Sequence, residues 1–309
     1  MSQVDGDLRS GSTTESDVAG PAIPGLFADP GLVVLDGRYW VYPTTDGTAG
    51  WGATAFRAFS SSDLVSWTDH GEIFSVLRDT AWATGHAWAP AMVQRGGRYY
   101  FYFTADQCIG VAVGETPTGP FVDLGAPLVS AGQYGGTAID PSVFSDDDGQ
   151  AHLYWGNGVA HAVALHEHMV GFDPERVRSW SPTAFREALW VHRHAGTYYL
   201  SWSENDTREA DYRVRYATGQ GPLGPWVDRG VLLQKDAERR ILGTGHHSIA
   251  QVPGTDEWVI AYHRFAIPDG DGHHREIAID GLWSASGSVS HLGAGNHVPT
   301  RVRGPATRQ

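Results

Sequence analysis

PAMVQRGGRYYFYFTAD, residues 90–106, carries the pattern that decides the fold. An apolar run reaches a Gly-Gly turn and resumes as an aromatic-rich run. A short Gly turn between two such runs signals a β-hairpin. The pattern recurs as GLVVLDGRYWVYPTTD (31–46), PSVFSDDDGQAHLYWGNG (141–158), LWVHRHAGTYYLSWSEND (189–206) and SIAQVPGTDEWVIAYHR (248–264). Five copies, roughly 45–60 residues apart, match the length of a four-stranded propeller blade.

Tyr39-Trp40-Val41-Tyr42 and Tyr99-Tyr100-Phe101-Tyr102 are apolar on both faces, as strands covered on both sides by neighbouring blades must be. A second pattern, a strand, a polar Gly/Pro turn and an aromatic outer strand, follows at 59–71, 111–125 and 214–230. It supplies the outer strands of blades one, two and four. Blade three is shorter, with 161–171, and blade five continues through 273–290. No segment shows a sustained 3.6-residue period with caps, so no long helix is expected. The expected fold is all-β, a five-bladed β-propeller over residues 23–300 with one central cavity. Residues 1–22 are expected to be disordered or extended, and 301–309 to form a tail.

Composition agrees. The chain has 309 residues, with 12 Trp, 12 Tyr, 11 Phe, 39 Gly and 17 Pro, a balance of strands and turns that suits an all-β domain. Its net charge of -13 would repel a phosphate backbone or an anionic bilayer, so neither nucleic acid nor membrane is an expected partner. The first 25 residues hold no apolar leader core, which reads as cytoplasmic. Cys108 is the only cysteine; in the run CIGVAV it is expected to be a small buried hydrophobe.

The head of each blade's first strand lies nearest the propeller axis, so residues there converge although they are distant in sequence. These heads are polar here: Asp29-Pro30, His86-Ala87-Trp88-Ala89-Pro90, Asp140-Pro141, Arg186-Glu187-Ala188 and Gly245-His246-His247. Asp29, Asp140 and Glu187 read as sharing one register in different repeats. Two carboxylates, one protonated and one ionised, are the minimum for hydrolysing a glycosidic bond. A third keeps the acid protonated by its charge. Trp88, Trp155 and Phe27 offer faces for a sugar, and His86 a further contact. Of the 15 histidines none has zinc-type spacing such as HExxH.

The set F-A-D-P, W-A-P, I-D-P-S, Arg-Glu and G-T-G-H-H-S, in this order over residues 26–290, resembles glycoside hydrolase family 43. The resemblance implies a five-bladed propeller that inverts the anomeric centre. By motif it implies Asp29 as general base, Glu187 as general acid and Asp140 as the residue that tunes and orients the acid. It implies His246, rather than His247, pointing into the central channel beside a calcium ion or a water; no cofactor is required. It also implies a blade-five arginine, Arg275, paired with a site carboxylate, expected to be Asp140. Ala188 departs from the family's usual Gly after the acid.

This branch looks most like exo-acting enzymes that release terminal L-arabinofuranose from arabinan- or hemicellulose-derived saccharides, with β-D-xylosidase and galactofuranosidase as alternatives. The rival from another class is a non-catalytic sugar-binding propeller. Such lectins repeat one pocket per blade, whereas here the head residues differ from blade to blade. Oligomeric state is not readable from the sequence.

Overall fold

The computed structural model describes residues 20–282 and, beyond them, the backbone of three two-residue strands. Blade one comprises β1 (Phe27–Leu35), β2 (Arg38–Thr45), β3 (Ala55–Ser61) and β4 (Thr68–Ser75). A single helical turn, α1 (Val76–Asp79), leads to blade two: β5 (Trp88–Arg95), β6 (Arg98–Ala105), β7 (Cys108–Gly114) and β8 (Phe121–Asp123). Blade three holds β9 (Ser142–Ser145), β10 (Ala151–Trp155), β11 (Ala160–Ala164) and β12 (Arg178–Trp180). Blade four holds β13 (Glu187–His194), β14 (Thr197–Glu204), β15 (Arg213–Gly219) and β16 (Trp226–Gln234). Blade five holds β17 (Gly245–Gln251), β18 (Trp258–Phe265) and β19 (Arg275–Leu282). The short strands are β20 (Ser284–Ala285), β21 (Ser288–Val289) and β22 (Leu292–Gly293), of which β22 pairs in parallel with β16. Within each blade the strands form an antiparallel meander. The all-β five-bladed propeller is therefore the fold.

The core is a set of seams between blades, which explains strands that are apolar on both faces. Trp40 and Tyr42 of β2 pack with Tyr99, Phe101 and Phe103 of blade two. The intervening Tyr39 and Val41 pack the other way, on Val259, Ala261 and Ile277 of blade five. Similar clusters fill the seams between blades two and three, three and four, and four and five. Burial at about 25 cal/mol per Å² makes each seam a substantial share of stability. The ring closes where Ser248 of β17 accepts from the Leu32 amide at 2.9 Å and donates to the Pro30 carbonyl at 2.6 Å. The Ala22 amide also donates to the Ile277 carbonyl on the outer side of β19.

Each first strand begins with one residue in the left-handed region: Asp29 (φ 50°), Ala89 (44°), Asp140 (60°), Ala188 (59°) and His246 (41°). In blades one, two, four and five the strand register jumps there, the sign of a β-bulge, which re-aims side chains. The backbone N–H of the kinked residue is caught by the second strand of the preceding blade. Ala89 donates to Thr44 Oγ1 at 2.7 Å, Asp140 to Thr104 Oγ1 at 3.0 Å, and His246 to Ser203 Oγ at 2.9 Å. At Asp29 the place is taken by His263, whose Nδ1 lies 3.3 Å from the amide. Blade three has Gly156 at the corresponding position, opposite Ile139, where an added Cβ would lie 2.0 Å from the Val159 carbonyl oxygen. With no hydroxyl available, the Ala188 N–H donates to the Asp140 carboxylate instead.

Thr104→Val leaves the buried Asp140 amide without a partner while keeping the side chain's shape. Chemical denaturation should show a loss of about 1–3 kcal/mol; unchanged stability would remove the belt of inter-blade bonds as a stabilising feature.

Candidate active site

The kinked heads meet in a cavity of about 200 Å³ lined by Asp29, Asp140, Glu187, His246 and Arg275, with Trp51, Trp88, Asn157, Arg186, Asp206, Thr207 and Arg208 around them. Glu187 stands one residue ahead of the kink, aligned with Trp88, Ile139 and Gly245, and not in the register of Asp29 and Asp140. That corrects the equal register inferred from sequence. The bulges bring both positions to the axis, so three carboxylates still face one space.

Their surroundings differ. Three nitrogens converge on Asp29 Oδ1: His263 Nδ1 at 3.0 Å, His246 Nδ1 at 3.2 Å and Arg275 Nη1 at 3.4 Å. Burial by itself would raise this carboxyl, but His246, Arg275 and His263 overcome it and hold Asp29 well below the usual carboxylate range. Burial also lowers both imidazoles, His263 to about 4. Thr207 completes the chain: its hydroxyl accepts from Arg275 at 3.2 Å and lies 3.3 Å from His263 Nε2. Among the described residues no donor is bound to Asp29 Oδ2.

Arg275 is gripped by Asp46, with Nε–Oδ2 at 2.8 Å and Nη2–Oδ1 at 3.1 Å, and its own amide bonds the same carboxylate at 2.9 Å. The arginine thus pairs with Asp46 and Asp29, not with Asp140 as the sequence suggested. Two parallel bonds fix its fork, which a lysine could not do.

Asp140 and Glu187 are shifted the other way. Burial raises Asp140 well above its usual value, and the charges of Glu187 and Asp29 add to it. Burial also raises Glu187, opposed by the Tyr212 hydroxyl, which donates to Oε1 at 2.8 Å, and by Arg186. Asn157 donates to Oε2 at 2.6 Å. Two such neighbouring carboxyls titrate as a pair and not one at a time. Tyr212 reaches Glu187 because position 245 is glycine: a Cβ there would sit 2.2 Å from the tyrosine ring.

His246 lines the cavity, with Nδ1 3.7 Å from Asp140 Oδ2. His247 turns away and bonds Ser201 at 2.6 Å. Asp140, Glu187 and His246 lie close enough to hold a metal. Calcium takes about six to eight oxygens, whereas this set includes a nitrogen and both Glu187 oxygens are engaged. The cluster does not fit calcium as a direct ligand.

Of the remaining predicted contacts, Trp88 lines the cavity and donates its indole N–H to the Trp51 carbonyl at 2.7 Å. Trp155 is fully buried among His161 and Phe172, and Phe27 packs on Phe59 in a seam, so both are core. His86 is outside the cavity lining, paired with Asp106 at 2.9 Å. Cys108 is only half-buried and accepts from the Ala131 amide. Sequence reading missed Asp46, Asn157, Tyr212 and His263, and the rim residues Trp51, Arg186, Asp206, Thr207 and Arg208. Asp46 and Asn157 follow their hairpins' second strands, two residues past Thr44 and one past Gly156, so no shared register marks them in the sequence.

The sequence profile of glycosyl hydrolases family 43 matches residues 18–289. The chain belongs to glycosyl hydrolases family 43. It is 32% identical over 300 residues to a β-D-galactofuranosidase of Aspergillus niger, covering 92% of this chain and 87% of that protein. It is 29% identical to a xylosidase/arabinosidase of Bacteroides ovatus, covering 86% of this chain and 95% of that one. Among solved structures, a GH43_1 enzyme from Xanthomonas citri superposes with TM-score 0.75 at 31% identity, covering 89% and 93% of the two chains. A β-xylosidase/α-arabinofuranosidase from a compost metagenome, in complex with xylotriose, gives TM-score 0.77 at 29% identity over 90% and 98%. This family 43 chain is thus a glycoside hydrolase whose relatives act on pentosides and galactofuranosides.

Ala188 occupies a left-handed position where the family usually has Gly. That conformation costs an L-residue about 1–2 kcal/mol, against about 0.5–1 kcal/mol for the entropy that glycine loses on folding. Ala188→Gly should therefore raise the unfolding free energy by about 0.5–1 kcal/mol; a clear drop in the denaturation midpoint would contradict this.

Proposed function

We propose that this enzyme removes single terminal α-L-arabinofuranosyl residues from arabinose-containing saccharides, with inversion. The observation that carries the reading is the opposed charge state of the carboxylates in one cavity: Asp29 held ionised, Asp140 and Glu187 pushed toward protonation. A cavity of about 200 Å³ is below the roughly 300–1,000 Å³ of pockets that take drug-sized ligands. It suits one sugar ring, hence exo action.

In this reading Glu187 gives its proton to the glycosidic oxygen as the bond from the anomeric carbon breaks. Asp29 Oδ2 takes a proton from the water that attacks the opposite face. Asp140 keeps the proton available to Glu187 and receives the Ala188 amide that holds it in place. Arg275 and the two histidines hold Asp29 as a base of low pKa, ready ionised. A β-D-galactofuranosyl group has the same ring configuration as α-L-arabinofuranosyl and is larger by one exocyclic carbinol. The identity to a galactofuranosidase favours it as the second reading, ahead of xyloside.

Asp29→Asn and Glu187→Gln should each lower kcat on a nitrophenyl arabinofuranoside by roughly 10²–10⁴-fold with the fold intact. Proton NMR of the first sugar released by the unaltered enzyme should show the inverted anomer. A higher kcat/KM on the galactofuranoside or xyloside would transfer the assignment to that sugar, and retention would end the proposed mechanism.

The pH profile of kcat/KM should be flat through mild acid, because Asp29 protonates only far below. It should fall as pH rises through the elevated pKa of the Asp140–Glu187 pair. Asp140→Asn removes a neighbouring charge and should move that alkaline limb to lower pH. Tyr212→Phe removes a donor that favours ionised Glu187 and should move it to higher pH. Shifts in the same direction for both variants would refute the assignment of that limb.

A further inference from the structure

A second cavity, of about 560 Å³, opens on the outer part of the seam between blades three and four. It is lined by Trp180, Trp202 and Trp226 together with Arg178, Thr183 and Asp228. The propeller's own repetition explains why it is open. Blades two and four are built alike in their outer halves. Tyr42 donates to the Pro117 carbonyl and Tyr154 to that of Pro222. Phe121 lies over Gly114 and Trp226 over Gly219, where a Cβ would meet either ring at 2.7 Å. Both aromatics are followed, two residues on, by an aspartate, Asp123 or Asp228.

The two seams differ in their cover. Between blades one and two the connection runs from 76 to 87, and it carries α1 and Trp82. The Trp82 indole stacks on Phe103 and donates to Asp123 at 3.1 Å, and Phe121 is buried. Between blades three and four the connection is only residues 181–186. In place of Trp82 this connection offers only the small Thr183, whose hydroxyl bonds Asp228 but covers no ring, so Trp226 is only half-buried and Asp228 is exposed.

We propose that this cavity is a second saccharide-binding site, separate from the catalytic one. Broad indole faces take the apolar face of a sugar ring, while a carboxylate and an arginine at the edge take its hydroxyls. A sugar hydroxyl can add to the exposed Asp228 carboxylate, which already accepts from Arg215 and the Gly230 amide. The chain's charge of -13 disfavours an anionic ligand, and the charged edge disfavours a lipid. The volume, well over twice that of the catalytic cavity, allows about two sugar rings. Thr183, at this cavity, is four residues from Glu187, at most about 14 Å of chain. A polysaccharide held here is therefore kept close to the catalytic pocket. The proposal rests on the family's action on saccharides, not on which terminal sugar is released.

Affinity electrophoresis through gels containing arabinoxylan, and separately arabinan, reads the site, with Glu187→Gln as the background to prevent turnover. That protein should be retarded in at least one gel. Adding Trp226→Ala should abolish the effect. Asp228→Asn, which keeps the shape and removes the charge, should weaken it roughly three- to tenfold, the worth of one hydrogen bond. In the active enzyme, Asp228→Asn should leave kcat/KM on nitrophenyl glycosides within about twofold, because that assay reads only the catalytic pocket. A failed arabinofuranosidase reading would alter the nitrophenyl panel and leave the retardation intact. No retardation in either gel, or retardation unchanged by Trp226→Ala and Asp228→Asn, would overturn the second site.

Discussion

The inter-blade hydrogen bond at each left-handed strand head is the contact on which the catalytic geometry depends. A residue with φ between 41° and 60° is strained unless its surroundings fix it. The preceding blade fixes it by accepting its amide, through Thr44, Thr104 or Ser203. The kink that results turns Asp29, Asp140 and His246 toward the axis and leaves Glu187 just upstream. Each blade thus determines where the next blade's head residue points. The single break in this pattern, Gly156, releases the Ala188 amide to the Asp140 carboxylate. A structural vacancy in one repeat becomes a contact between two acidic residues' supports.

Electrostatics then separates carboxylates that the fold treats alike. Desolvation acts on all three and by itself raises all of them. Only at Asp29 is it outweighed, by His246, Arg275 and His263 around a single oxygen. Arg275 can serve there because Asp46 carries the other side of its guanidinium. A buried arginine between two carboxylates is better balanced than one facing a single carboxylate. Glu187 is held by a phenol and an amide, with the half-exposed Arg186 guanidinium farther off, 3.9 Å from Oε2, and together they do not outweigh its burial. Carboxylates of opposite shift thus share one cavity.

The fold was legible because blade seams force apolar residues onto both faces of the inner strands, and that doubled pattern repeats. Asp29, Asp140 and Glu187 stood out for the same reason: each is a charged residue at the start of an otherwise apolar repeat. Tyr212 and His263 were not legible, since an aromatic in a propeller strand reads first as core, and these two are indeed buried. Trp155 and Phe27 show the converse, aromatics near the heads that are seam residues and nothing more. Arg275 was assigned to the wrong carboxylate because sequence places it in blade five but cannot tell which neighbour across the axis it meets. Asp46, which decides the matter, lies 229 residues away.

Where the repeats diverge, chemistry follows. His263 stands where other blades have a hydroxyl, and it contacts the carboxylate as well as the amide of Asp29. Gly245 stands where other heads carry a side chain, and it admits Tyr212. The short connection 181–186 stands where its counterpart carries a helical turn and a tryptophan, and it leaves an open cavity. A five-fold scaffold that is stable by repetition can tolerate a few such departures, because each seam is packed by its own cluster. The departures are therefore where function is to be sought, and two of the three described here each serve one carboxylate of the cavity, His263 at Asp29 and Tyr212 at Glu187.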